Sequence, residues 1–68
     1  MSFGNRIAQL RASLGWTQLD LAERCELQST AIAHYEAGRR EPTLTNIVKI
    51  CRGFGVEPNV LIKMEDYK

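Results

Sequence analysis

Apolar residues recur at the start of the chain as Phe3, Ile7, Leu10 and Leu14, in steps of four, three and four that place them on one stripe of a helix. The stripe predicts a first helix stopped by Gly15, which tolerates a left-handed backbone, with Trp16 covering the edge of the core just beyond. Thr17 opens a second helix, because its hydroxyl can accept from the backbone N–H near Asp20 while the Asp20 carboxylate answers in the manner of a capping box. This helix runs to about Cys25 with Leu19, Leu21, Ala22 and Cys25 inward, and the small Ala22 suits a close helix crossing. A sharp turn is expected at Glu26. Beyond the apolar Leu27, the residues Ala31, Ile32 and Tyr35 form the inward stripe of a third helix and leave Gln28, Ser29, Thr30, Ala33 and His34 to its other faces.

Gly38 stops the third helix, and Pro42 prevents helical continuation through the polar loop of Arg39, Arg40 and Glu41. Thr43 then caps a fourth helix whose core side is Leu44, Ile47, Ile50, Cys51 and Phe54, and Gly53 should weaken its last turn by about 1 kcal/mol relative to alanine. After Gly55, Val56 can fold back on the helix end, and Pro58 fits the first turn of a short fifth helix through Leu61 to about Met64. The tail from Glu65 to Lys68 is expected to fray. Short helices joined by short loops, with no alternating run and no Asn-Gly hairpin, predict an all-α fold. The second and third helices are joined by a turn of about three residues, too tight for an antiparallel hairpin, so they must cross steeply as a helix-turn-helix.

With 68 residues the whole of 1–68 is read as a single domain, its helix-turn-helix unit at about 17–37, with no room for a large substrate cavity. The net charge of +1 and pI near 7.8 argue against a polybasic nucleic-acid or membrane-surface binder, so any polyanion must be met by a local patch. No apolar run approaches a membrane span and the N-terminus carries no signal-peptide core, which points to the cytoplasm. Cys25 and Cys51 lack a metal-ligand spacing and sit among apolar residues at helical spacing; they read as buried thiols, with a single disulfide as the alternative in an oxidising compartment. One histidine, no nucleophile beside a base and no glycine-rich phosphate loop argue against an enzyme, and no metal, cofactor or small-molecule ligand is expected.

The run Thr17-Gln18-Leu19-Asp20-Leu21-Ala22-Glu23-Arg24, then Ile32-Ala33-His34-Tyr35-Glu36-Ala37-Gly38, Arg39-Arg40-Glu41-Pro42 and Phe54-Gly55-Val56 together resemble the phage repressor and Cro type of helix-turn-helix, the XRE family. The resemblance covers about residues 5 to 62 and rests on three motifs in register. It implies a compact five-helix, lambda repressor-like bundle that binds double-stranded operator DNA as a homodimer, with the third helix in the major groove. Such a bacterial or phage-encoded protein would be a small repressor or controller on a near-palindromic operator, blocking or recruiting RNA polymerase.

Carried over residue by residue, the resemblance assigns Gln28, Ser29, Thr30, Ala33 and His34 to base edges, since glutamine can pair with adenine, hydroxyls donate or accept, and alanine can pack on a thymine methyl. It assigns Thr17, Gln18, Arg39 and Arg40 to phosphates. Arg11 and Glu36 fall where some members form a partly buried ion pair, a structural role. The dimer contact would use Val56, Pro58, Val60, Leu61 and Met64, with Leu61 favoured for the core and Val60 and Met64 more open. Two departures stand out: Glu26 replaces the family's usual turn glycine, and Gln28 replaces its usual Ser or Thr cap. The alternative function is a protein-interaction module of the same fold, an antitoxin or regulator-binding partner, for which near-neutral charge is the support.

Overall fold

The computed structural model describes residues 3–62, which form α1 (Phe3–Ser13), α2 (Gln18–Cys25), α3 (Ser29–Glu36), α4 (Leu44–Phe54) and α5 (Pro58–Leu61), with no strand among the described residues. The core gathers Phe3 and Ile7 of α1, Leu21, Ala22 and Cys25 of α2, Ile32 and Tyr35 of α3, Ile50 and Cys51 of α4, and Leu61 of α5. Each helix therefore spends one stripe on a shared centre, the solution a chain this short must find to bury apolar area on folding.

The helix ends follow local chemistry. Thr17 caps α2 by accepting from the Asp20 N–H at 3.0 Å, and the Asp20 carboxylate accepts from the Thr17 N–H at 2.9 Å, closing the capping box. Thr43 caps α4 by accepting from the Asn46 N–H at 3.2 Å. The first four helices all end in the same reverse turn. In each, an N–H returns to the carbonyl five residues back: Trp16 to Arg11, Leu27 to Ala22, Arg39 to His34 and Val56 to Cys51. The residue before that N–H is left-handed in every case: Gly15, Gly38 and Gly55, but Glu26 at the end of α2, with φ 60° and ψ 42°.

Two glycines are spent on close approach. A Cβ on Gly4 would stand 1.9 Å from the Tyr35 carbonyl oxygen, so α1 lies directly on the backbone of α3. A Cβ on Gly53 would stand 3.0 Å from Cys25 Sγ and 3.2 Å from the Cys25 backbone nitrogen, so the end of α4 presses on the end of α2. Gly53 is thus more than a weak point in its helix.

Several inward assignments made from periodicity change. Leu19 is 56% exposed: at 100° per residue Leu21, Ala22 and Cys25 share an arc of about 100°, and Leu19 lies about 110° from its centre. Leu44 is 75% exposed at the free first position of α4, and Leu14 is 46% exposed because α1 ends at Ser13 and places it in the turn. The fifth helix stops at Leu61, where Ile62 turns extended with φ −111° and ψ 126°; Met64 lies outside the described residues.

Arg6 is a buried cation that the apolar stripe of α1 conceals; its Nη1 donates to the Leu61 carbonyl at 3.2 Å and ties α5 to α1. Trp16 stacks on Phe54 with ring centroids 5.6 Å apart and planes 4° from parallel, and the Arg24 guanidinium lies over the indole, 4.1 Å from a ring centroid. The α1–α2 turn, α2 and the end of α4 are joined through that stack.

Candidate nucleic-acid interface

The α2–turn–α3 unit presents one face whose side chains are fixed inward and another whose side chains are left over. On α3, Ile32 and Tyr35 are buried, and the Tyr35 hydroxyl accepts from Asn46 Nδ2 at 2.8 Å, tethering the helix to α4. Ser29, Thr30, Ala33 and His34 occupy an arc of about 140° on the opposite side. Thr30 is exposed, and Ser29, Ala33 and His34 are half-buried. Gln28 is the N-cap residue of α3, exposed and extended, and makes no side-chain capping bond. Its amide oxygen lies 3.5 Å from the Thr30 hydroxyl, too long for a firm hydrogen bond, so both side chains remain available. Among the described residues the Ser29 and His34 side chains have no hydrogen-bond partner.

The N-terminus of α2 flanks this face. Asp20 N–H is taken by the Thr17 hydroxyl and Leu21 N–H by the Thr17 carbonyl, which leaves the N–H groups of Gln18 and Leu19 over. The Thr17 N–H and hydroxyl hold the Asp20 carboxyl below its ordinary pKa, with the Arg24 charge adding to the effect. On the other flank, Gly38 turns the chain out at φ 74°, and Arg39 and Arg40 follow it exposed, with no carboxylate partner among the described residues.

Between these flanks lies an ion pair. Arg11 of α1 grips Glu36 at the end of α3 through two nitrogens on one edge of its guanidinium, Nε to Oε2 at 2.7 Å and Nη2 to Oε1 at 3.1 Å. The third nitrogen, Nη1, donates to the Trp16 carbonyl at 2.7 Å, and the carboxylate raises the arginine pKa above its ordinary value. Gln18 joins the pair, its Nε2 donating to Glu36 Oε1 at 3.0 Å. The Gln18–Glu36 bond and the Asn46–Tyr35 tether were not anticipated. The second had a signal, since an inward tyrosine hydroxyl needs a partner; the first had none, because the two residues lie 18 apart in the chain.

The residues assigned to a dimer contact separate. Val56 is half-buried against the core, Pro58 is exposed and Val60 is 47% exposed, but Leu61 is 1% exposed and belongs to the core, so it has no side-chain surface to offer a partner. Cys25 and Cys51 are buried free thiols; Cys25 Sγ donates to the Leu21 carbonyl at 2.8 Å, and burial pushes its pKa up to about 11. Among the described residues no cluster of three His, Cys, Asp or Glu side chains could hold a metal ion, and no helix is long and apolar enough to cross a membrane.

Comparison with known proteins places this geometry. A helix-turn-helix family profile matches residues 7–61. The control protein C.BamHI of Bacillus amyloliquefaciens is 39% identical over 61 residues, which cover 88% of this chain and 75% of that one. Multiprotein-bridging factor 1 of Eremothecium gossypii is 43% identical over 56 residues, 82% of this chain but only 37% of that protein. Among solved structures, the restriction-modification controller protein C.AhdI from Aeromonas hydrophila superposes with a TM-score of 0.85 at 33% identity, covering 88% of this chain and 91% of that one.

Proposed function

The chain belongs to the XRE-type helix-turn-helix family of transcription regulators, and from that premise we propose that it is a sequence-specific regulator that binds near-palindromic duplex DNA as a homodimer, with α3 in the major groove. The observation that carries the proposal is the outward arc of α3. Among the described residues, the polar side chains there have no tertiary hydrogen-bond partner, on a helix whose opposite side is locked to the core and to α4. A solvated helix face has no need of so rigid a seat, whereas base readout does, because a bidentate contact tolerates little displacement.

In this reading Gln28, Ser29, Thr30, Ala33 and His34 meet base edges. Thr17, Gln18 and the free N–H groups at the start of α2 hold a phosphate on one flank, and Arg39 and Arg40 hold the strand on the other. Val56, Pro58 and Val60 contribute the apolar part of an isologous dimer contact, setting two α3 helices about one helical turn, roughly 34 Å, apart. The likeness to two proteins named as control or controller proteins supports a regulator of this compact kind, one that represses or tunes a promoter by occupying it.

The test is selection from random duplex DNA by the purified protein at low salt, followed by retitration of the enriched pool. A two-fold-symmetric motif is expected. With Arg39 and Arg40 of both protomers on phosphates, the log-log salt slope is about −3.6, a loss of about 150-fold in affinity between roughly 50 and 200 mM salt. Absence of enrichment, or a flat salt response, would transfer support to the protein-interaction reading that the net charge of +1 favours.

A further inference from the structure

The Glu36 carboxylate is held by three donors from two other helices: Arg11 Nε at 2.7 Å, Arg11 Nη2 at 3.1 Å and Gln18 Nε2 at 3.0 Å. An ionised carboxylate only accepts hydrogen bonds, so Gln18 must turn its NH2 group and not its carbonyl oxygen toward Glu36. That choice fixes the rotation of the amide. One N–H is committed to Glu36 and the second remains on the same nitrogen, in a residue of the α2 first turn whose backbone N–H, like that of Leu19, is left over. A glutamine with no such tie would lose its rotamer freedom on meeting a phosphate; this one is already ordered.

A bare carboxylate near a phosphate would repel it, but the Arg11 guanidinium pairs with Glu36 at both oxygens and cancels its charge at close range. The same guanidinium holds the Trp16 carbonyl at 2.7 Å, one residue before the α2 cap, so the place of the α2 N-terminus and the end of α3 are set by one group. We propose that Glu36, neutralised by Arg11, is a positioning residue that orients the Gln18 amide for a DNA phosphate and thereby couples the seat of the recognition helix to the phosphate contact of α2. The inference rests on the DNA-binding reading above and assigns the ion pair a role beyond stability.

The test is a double-mutant cycle on binding to the selected duplex at 10 °C, with Gln18→Ala made in the wild type and in the paired variant Arg11→Met/Glu36→Met. Replacing both charges together leaves the net charge unchanged and avoids an orphaned buried ion, so the salt slope should stay the same in both backgrounds. Gln18→Ala should weaken binding about tenfold in the wild type, as expected for a hydrogen bond to a charged group, and less than about threefold in the paired variant. Equal losses in both backgrounds, or no loss from Gln18→Ala in the wild type, would overturn the coupling while leaving DNA binding intact. A wild type that selects no DNA would overturn both. A second measurement needs only the wild type: the side-chain NH2 of Gln18 should show a rigid NMR order parameter in the free protein, against mobile values for the exposed Gln9 and Gln28, and equal mobility in all three would refute the orientation.

Discussion

Replacing Glu26 by glycine should stabilise the domain, and the expected size follows from the backbone. Glu26 sits at φ 60° and ψ 42°, where the side chain of an L-residue crowds the following carbonyl at a cost of roughly 1 to 2 kcal/mol. The three equivalent helix ends use Gly15, Gly38 and Gly55, which do not carry that cost. Glu26 is exposed and no hydrogen bond or ion pair of its side chain opposes the change among the described residues. Its carboxylate also stands at the negative end of the α2 dipole, an unfavourable placement of about 0.3 kcal/mol. Against these gains, glycine adds freedom to the unfolded chain at about 0.4 to 1 kcal/mol. The balance is about 0.3 to 1.9 kcal/mol, centred near 1 kcal/mol, and that centre is a rise of roughly 4 to 8 °C in Tm for a domain of this size. Thermal unfolding followed by circular dichroism measures it, with Glu26→Ala as the control that removes the charge but keeps the Cβ. That control should recover only the dipole contribution, roughly 1 to 2 °C. A Tm for Glu26→Gly at or below wild type, or an equal rise for Glu26→Ala, would refute the argument from backbone strain.

Gly53→Ala should fail to deliver the helix-propensity gain of about 1 kcal/mol, and Gly4→Ala should prevent folding under ordinary conditions, because the new Cβ would meet Cys25 at 3.0 Å in the first case and the Tyr35 carbonyl at 1.9 Å in the second; urea unfolding of the two variants separates them. The Asp20 carboxyl has a folded pKa below its ordinary value of 3.8, so the stability it contributes is fully present above that value and is lost as pH falls through the lower folded pKa. The difference in Tm between wild type and Asp20→Ala should accordingly be present at pH 7 and shrink only as pH falls below 3.8; a difference independent of pH would remove the carboxylate from the explanation. With its pKa pushed up to about 11 from 9.0, Cys25 should hold about a hundredfold less thiolate at pH 8 than an unperturbed thiol and resist iodoacetamide until the domain is unfolded. Fast labelling in native buffer would contradict that burial.

What could be read along the chain was local or nearly so. The Thr17–Asp20 box, the Thr43 cap, the stops at Gly15, Gly38 and Gly55 and the turn at Glu26 are each decided within five residues, by hydrogen-bond chemistry and steric limits that neighbours in sequence already specify. From these stops and the period of the apolar residues the helices and their order follow, and the short α2–α3 turn confines their crossing. Periodicity reports a direction around a helix axis, however, and not how far the neighbouring helix reaches. Leu44 therefore shares the azimuth of buried residues yet projects past them, and Leu61, named for a dimer contact but favoured for the core, is buried. Contacts that join distant parts of the chain needed the fold. Gly4 lies against Tyr35, Arg6 against the Leu61 carbonyl 55 residues away, and Gln18 against Glu36. No local pattern distinguishes a glycine that weakens a helix from one that lets two backbones meet, or an exposed glutamine from one oriented by a partly buried ion pair. Those distinctions arise only when packing brings a particular oxygen within 3 Å of a particular nitrogen.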